Sequence, residues 1–366
     1  MPAVLSPRTV DALRELVRPE EPVASVYLGL QPSPPAPDPV EDLDLRWRAL
    51  ATRLAGQRTD EPTRAAVVAR LASATPVPGE LAIFAAHGRI LLETPVPGGI
   101  RLDRARFAAP AEVVPVLAWR QAHPAHVVVV TDRTGADVTA VPRGGVGGST
   151  AVVVGPDDEI ERNAPGGWAQ PRYQRRAEDS WRHNAAAVAA ATVRALRDLN
   201  AGLLLVAGDV RAVQLLCDDL AALRQRGLAI VHLPGGRSPD GSAEHRAAAV
   251  REAVAGYARN RTGAMLAALE RHAGPHGTAV HGARATLAAL AAGQVRTLFV
   301  ADRDGDERTA WFGGGVLGAT EPGPGTVPGR LVDVAVRAAL LTDAEVRIVE
   351  PQAVPEDIAA QCRFAP

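Results

Sequence analysis

Residues 163–185 read NAPGGWAQPRYQRRAEDSWRHNA, joining two adjacent glycines and a tryptophan to an arginine-dense run that passes into an alanine-rich segment. From Pro171 onward, Tyr173, Ala177, Trp181, Ala185, Val188, Thr192, Leu196 and Leu199 recur at spacings of three and four. That period predicts one helix reaching about residue 199, with a single apolar face. Pro171 suits its first turn, where the missing N–H leaves no helical bond unmade. The helix is expected to be roughly 40 Å long at 1.5 Å per residue. Arg172, Arg175, Arg176 and Arg182 fall on its early turns, beside the apolar stripe or away from it. Ahead of it, residues 155–170 hold Gly155, Pro156, Asn163, Pro165, Gly166 and Gly167, and the paired glycines permit close backbone approach to another surface. The expected form is a protruding glycine loop beside a rigid, arginine-studded helix. A plain solvent loop with a charged helix face, where Glu178 and Asp179 offset some arginines, is the simpler alternative.

The segments around this stretch alternate in type. Upstream, HVVVVTDRTGADVTAV (126–141) reads as two strands joined at Asp132–Gly135, and TAVVV (150–154) as a third. Downstream come a strand in GLLLVAGD (202–209), a helix over about 210–226 and a strand in LAIVHL (228–233). Together they predict a mixed sheet with helices packed on it, a central domain over 113–240. Residues 1–112 read as an α+β domain with a strand at 22–30 and helices near 41–56 and 61–74. A strand pair turning at His87-Gly88 completes it. The loop PGGRSPDGS (234–242) reads as a linker. Residues 241–366 then give helices near 243–273, 282–292 and 329–341, with strands near 295–302, 309–315 and 346–350. These predict an α/β/α sandwich. The fold class expected is α/β (α+β) in three domains.

Composition narrows the function less than clustering does. A net charge of -1 singles out no polyanionic partner, and every one of the 40 basic residues is arginine, as GC-rich coding also produces. Arginine does suit bidentate phosphate contacts, so its position along the chain matters more than its number. Cys217 and Cys362 are far apart and each falls in a predicted helix, which excludes a disulfide framework or cysteine zinc cluster and fits a reducing cytoplasm. The N-terminus lacks an apolar h-region and no long apolar run is present, so neither a signal peptide nor a membrane span is expected.

The stretch GGWAQPRYQRRAEDSWRHN resembles the GGQ loop and following helix of the archaeal and eukaryotic class-one release factors and their relative Pelota. Arg172, Tyr173 and Arg175 match that family's Arg-aromatic-x-Arg pattern, and His183-Asn184 follow with a one-residue offset. VVVVTDRTGADVTAV is similar to the strand pair opening the family's central domain, and VHLPGGRSPDG to the loop closing it. HGARATLAALAAGQVRTLFV (281–300) resembles a segment of the third domain, and SVYLGL and GELAIFAAHG fit the N-terminal order. More narrowly, the chain is similar to the bacterial, especially actinobacterial, branch that includes the ribosome hibernation factor Balon.

The resemblance implies a protein of the ribosomal A site, with the 70S ribosome as partner and no cofactor. The N-terminal domain would face the decoding centre, and Gly166, Gly167, Trp168 and Gln170 the peptidyl transferase centre. Arg162, Arg172, Arg175, Arg176, Arg182 and His183 would contact ribosomal RNA. The third domain would lie on the factor-binding side, where an elongation factor could bind alongside. Two departures shape the expectation. This lysine-free chain has no counterpart of the Asn-Ile-Lys-Ser loop that reads stop codons, and Trp168 stands where the family has its catalytic glutamine.

Three functions follow. The first is a hibernation or rescue-type binding protein, with Trp168 stacking on a base. The second is peptidyl-tRNA cleavage using Gln170, two residues beyond the family's glutamine. The third is a metal-dependent RNA nuclease, with Asp132 and Asp209 at strand ends gathering a divalent ion; aspartate is also an ordinary strand-ending turn residue. His272, His276 and His281 straddle Gly274, Pro275 and Gly277, so one helical face does not present all three, and no metal site is expected there. WFGGGVLGA (311–319) lacks a P-loop lysine and reads as a tight turn or a flexible flap.

Overall fold

The computed structural model describes residues 9–31, 38–96, 103–145, 147–154, 170–237, 243–274, 276–303, 305–321 and 323–365, with residues 9, 170–180 and 243 as backbone. The chain divides into two compact units, one formed by Met1–Gln121 with Arg261–Pro366 and the other by Ala122–Asn260.

The first unit begins with α1 (Thr9–Val17), β1 (Val23–Gly29), α2 (Pro39–Gly56) and α3 (Glu61–Leu71). Strands β2 (Glu80–Ala86), β3 (Arg89–Val96) and β4 (Arg104–Ala108) follow, then α4 (Val114–Ala122). The strands form an antiparallel sheet in the order β3-β2-β1-β4. Leu43, Leu50 and Leu54 of α2 and Val67 and Leu71 of α3 pack on Val26, Leu28 and Ile83 of the sheet. The β2–β3 turn is the expected one, with His87 and Gly88 both at positive φ, 52° and 73°. That conformation matches the twist of a two-residue hairpin.

The second unit contains β5 (His126–Thr131), β6 (Gly135–Val141), β7 (Ser149–Val154), α5 (Gln170–Asp198), β8 (Leu203–Gly208), α6 (Val210–Asp219), α7 (Ala221–Gln225) and β9 (Ala229–His232). Its sheet runs β7-β6-β5-β8-β9, with β5, β8 and β9 parallel and β6 and β7 antiparallel additions. Val127, Val129, Leu204 and Val206 pack under Val188 and Leu196 of α5 and Val213 and Leu216 of α6. Val128, Leu203 and Leu205 face the other way, against Val250 and Val254 of α8 (Ala243–Arg271). Burial on both faces is why HVVVV and GLLLV are unbroken apolar runs rather than alternating ones.

The chain then returns to the first unit. It adds β10 (Ala279–His281), α9 (Ala283–Ala291), β11 (Val295–Val300), β12 (Thr309–Gly313), β13 (Val316–Gly318), β14 (Val327–Arg330), α10 (Leu331–Leu341), β15 (Glu345–Ile348) and β16 (Ile358–Cys362). The larger sheet here is β10-β16-β11-β15 and the smaller β13-β12-β14. Helices α9 and α10 pack on the larger sheet, and Leu269 of α8 joins Phe299 and Ala359 in a buried cluster. The glycine run expected as a tight turn is one: Gly313 pairs with Val316, and Gly314 and Gly315 turn at φ 57° and 82°.

Three local expectations need correction. Cys362 lies in β16, between β10 and β11, because pairing on both sides overrides the alanine-rich helical character of IAAQC. The helix over 210–226 is broken at Leu220 into α6 and α7. The helix placed at 329–341 starts at Leu331, because Val327–Arg330 pairs with β12 as β14.

Candidate nucleic-acid interface

The site is built on α5 and the hairpin beneath it. Asp132 sets the β5–β6 turn: its Oδ1 accepts the Thr134 amide at 2.8 Å, the Thr134 hydroxyl at 2.7 Å and the Gly135 amide at 3.1 Å. Arg237, in the loop after β9, donates to Asp132 at 3.2 Å and to Asp137 at 3.1 Å. Burial pushes the Asp132 carboxyl up, but the Thr134 hydrogen bonds and the Arg237 charge outweigh it and hold the group below the usual carboxylate range. Asp209 caps α6, its Oδ1 accepting the Arg211 and Ala212 amides at 3.0 and 3.1 Å. Both aspartates proposed as metal ligands thus carry hydrogen bonds of the turn and the cap. Among the described residues, no group of three or more His, Cys, Asp or Glu is placed to hold a metal ion. His272, one of the three clustered histidines, directly follows α8 with Nδ1 2.7 Å from the Ala268 carbonyl oxygen.

Helix α5 spans the predicted length. Among its described residues the buried positions are Asn184, Ala185, Val188, Ala189, Thr192 and Leu196, and Ala185, Val188, Thr192 and Leu196 belong to the stripe read from the sequence. Before Asn184, the first buried position among the described residues, the helical backbone extends over residues 170–183, roughly 21 Å at 1.5 Å per residue. Positions 172, 175, 176, 182 and 183 all fall on this extension, and Arg182 and His183 are exposed. Positions 172, 176 and 183, spaced by four and seven, share one row along the helix. Gln170 is the first helical residue. Arg162, Gly166, Gly167 and Trp168 lie outside the described residues, in the segment connecting β7 to α5.

Three participants had no assigned role in the sequence reading. The Asn184 amide nitrogen donates to the Arg133 carbonyl oxygen at 3.0 Å, tying α5 to the hairpin turn. Arg133 itself is exposed at that turn. Arg237, read as linker, is the clamp on Asp132 and Asp137. No local pattern signals these contacts, since the partners lie far apart in the chain.

A mixed sheet covered on both faces carries the long helix α5 and the hairpin that holds it. Residues 125–275 match the family model of the bacterial archaeo-eukaryotic release factor family 2. Over that segment the chain is similar to this family. No curated protein matches the chain. Among solved structures, an archaeal translation termination factor, aRF1, is 16% identical over 99% of both chains, with a TM-score of 0.26. Archaeoglobus fulgidus Pelota is 12% identical over 99% of this chain and 93% of its own, at 0.32. Dom34 of S. cerevisiae is 10% identical over 80% and 76%, at 0.40. It is described as a translation termination-like factor involved in RNA quality control and interacting with Hbs1. Among the described residues, no helix is long and apolar enough to cross a membrane.

Proposed function

We propose that the protein is a ribosome-associated factor that occupies the A site of the 70S ribosome without reading a stop codon, as a hibernation or ribosome-protection factor. The observation that carries this reading is the helical extension at residues 170–183. It is helical throughout, bears Arg172, Arg175, Arg176, Arg182 and His183, and lies inside the segment that matches the release factor family. Guanidinium groups along such an extension suit the phosphates of a ribosomal RNA cavity. The preceding loop, with Gly166, Gly167 and Trp168, would enter the peptidyl transferase centre, where the tryptophan stacks on a base. Substitution of the family's glutamine by Trp168 favours occupancy over peptide release, and Gln170 opens a helix instead of standing at a loop tip.

Reversing two arginines, Arg175→Glu with Arg182→Glu, tests the reading. Loss of ribosome binding together with a shallower salt dependence is the expected result. Binding and salt slope equal to the wild type would remove RNA contact from this helix. A labelled nascent chain retained on the ribosome in the protein's presence is expected as well; release abolished by Gln170→Ala would establish the hydrolytic alternative.

A further inference from the structure

Asn184 is the first buried position of α5 among the described residues. Its side chain is 6% exposed; the amide nitrogen holds the Arg133 carbonyl, and the amide oxygen is buried with no hydrogen-bond donor among the described groups. An asparagine whose amide oxygen has no donor among the described groups is a poor choice for packing alone, since an apolar residue of similar shape would avoid that desolvation penalty.

The turn that Asn184 grips is itself held on every side. Thr131 Oγ1 donates to the Gly135 carbonyl at 3.0 Å, and Asp132 gathers the Thr134 and Gly135 amides. Gly135, at φ 155°, lies so close to β7 that a Cβ would meet the Val153 carbonyl oxygen at 2.0 Å. Arg237 spans Asp132 and Asp137 from outside the hairpin. The carbonyl of its neighbour Gly236 accepts Arg246 Nη1 of α8 at 2.9 Å. The hydrogen bonds form one chain, from α8 through the loop after β9 and the hairpin turn to α5.

We infer that Asn184 and Arg237 are positioning residues, fixing the direction in which α5 carries its arginine-bearing extension and so its fit to RNA. The inference rests on the RNA contact proposed above for that extension. Direction matters because the lever is long: a 10° swing about Asn184 moves residue 170 by roughly 4 Å over the extension's length. Such a displacement exceeds what a hydrogen-bonded phosphate tolerates.

The test uses the full-length chain as wild type, Asn184→Leu and Arg237→Lys, with two readouts. One is amide hydrogen exchange across residues 170–183; the other is affinity for purified 70S ribosomes across a salt series. Asn184→Leu keeps the volume and removes both the tether and the orphaned oxygen. It is expected to leave the thermal midpoint unchanged or higher, and to speed exchange across 170–183 on the order of tenfold. Ribosome affinity should fall on the order of tenfold, with a salt slope shallower by about 1 for each phosphate the variant no longer neutralises. Arg237→Lys should shift both readouts the same way and by less, since it keeps the charge but not the two-carboxylate fork. Wild-type exchange in Asn184→Leu overturns the inference whatever the affinity does. Faster exchange with unchanged affinity also overturns it, because the direction of α5 would then not matter to the partner. If the wild type itself fails to bind ribosomes, the RNA reading falls. The exchange measurement still decides whether Asn184 tethers the helix.

Discussion

Arg330→Met removes the cation at the centre of a buried charge cluster in the first unit. Arg330 is 5% exposed at its side chain; Nε and Nη2 reach Asp333 at 2.8 and 3.0 Å, Nη1 reaches Asp302 at 2.6 Å, and Nη2 lies 3.4 Å from Glu112. Arg104 Nη1 adds ion pairs to Glu112 at 2.6 Å and Asp302 at 3.4 Å. Tyr27, whose hydroxyl donates to the Glu112 carbonyl, packs beside them. Three carboxylates therefore share two guanidinium groups, and one oxygen of Glu112 is buried without a hydrogen bond among the described residues. Breaking such a buried pair from one side costs about 3–5 kcal/mol. For a unit of this size that corresponds to a fall in thermal midpoint of roughly 6–20 °C.

The acidity of the cluster sharpens the prediction. Burial pushes the Asp333 carboxyl up to about 6, against the opposing pull of Arg330 and with further upward pressure from Glu112 and Asp302. A carboxyl raised above its unfolded value favours the folded state while protonated. Its contribution is fully present below about pH 4 and is lost as pH rises through about 6. The excess negative charge thus disfavours the fold above that window. Arg330→Met widens the window upward by removing the attraction that opposes burial, so its loss should be larger at pH 7.5 than at pH 5. Asp333→Asn removes the titration and should flatten the wild-type dependence over pH 4–6. Thermal melts by circular dichroism at both pH values decide the matter. A midpoint for Arg330→Met within about 2 °C of wild type at pH 7.5, or an equal loss at both pH values, would show that Arg330 does not hold the carboxylates in place.

Other substitutions separate structural from chemical roles. Asp209→Ala should lower stability by about 1 kcal/mol through loss of the α6 cap, measured by urea unfolding, and leave RNA integrity unchanged with or without magnesium. Disappearance of a magnesium-dependent RNA cleavage in that variant would revive the nuclease reading. Gly135→Ala places a Cβ 2.0 Å from a backbone oxygen, so a loss of more than about 2 kcal/mol is expected, read as a lower denaturation midpoint; a wild-type midpoint would contradict that packing. Leu216→Ala, in the fully buried core beneath α6, should destabilise by about 2–5 kcal/mol in the same assay.

Much of the fold was legible because local chemistry and tertiary packing agree. The α5 stripe from Ala185 to Leu196 repeats at helical spacing and is buried. The turns at His87-Gly88 and Asp132–Gly135 carry residues suited to their backbone. Elements whose identity depends on distant partners were not legible. IAAQC becomes the strand β16 only because β10 and β11 flank it. RARFA becomes β4 through pairing with β1, its alternating arginines giving no apolar run. In the candidate site the arginines of α5 were visible as a cluster, whereas the Asn184 tether and the Arg237 clamp were not. Asn184 meets Arg133 across 51 positions and Arg237 meets Asp132 across 105, distances over which a single sequence carries no pattern.

Docking on the ribosome through phosphate contacts underlies the whole functional reading. Co-sedimentation of the purified protein with 70S ribosomes over a salt series is the decisive measurement. Phosphate docking predicts pelleting at low salt and a linear fall of log affinity with log salt, with a slope near -0.9 for each phosphate neutralised on a duplex and about -0.7 on single strands. Failure to pellet at any salt concentration, or an affinity that salt does not change, would contradict it.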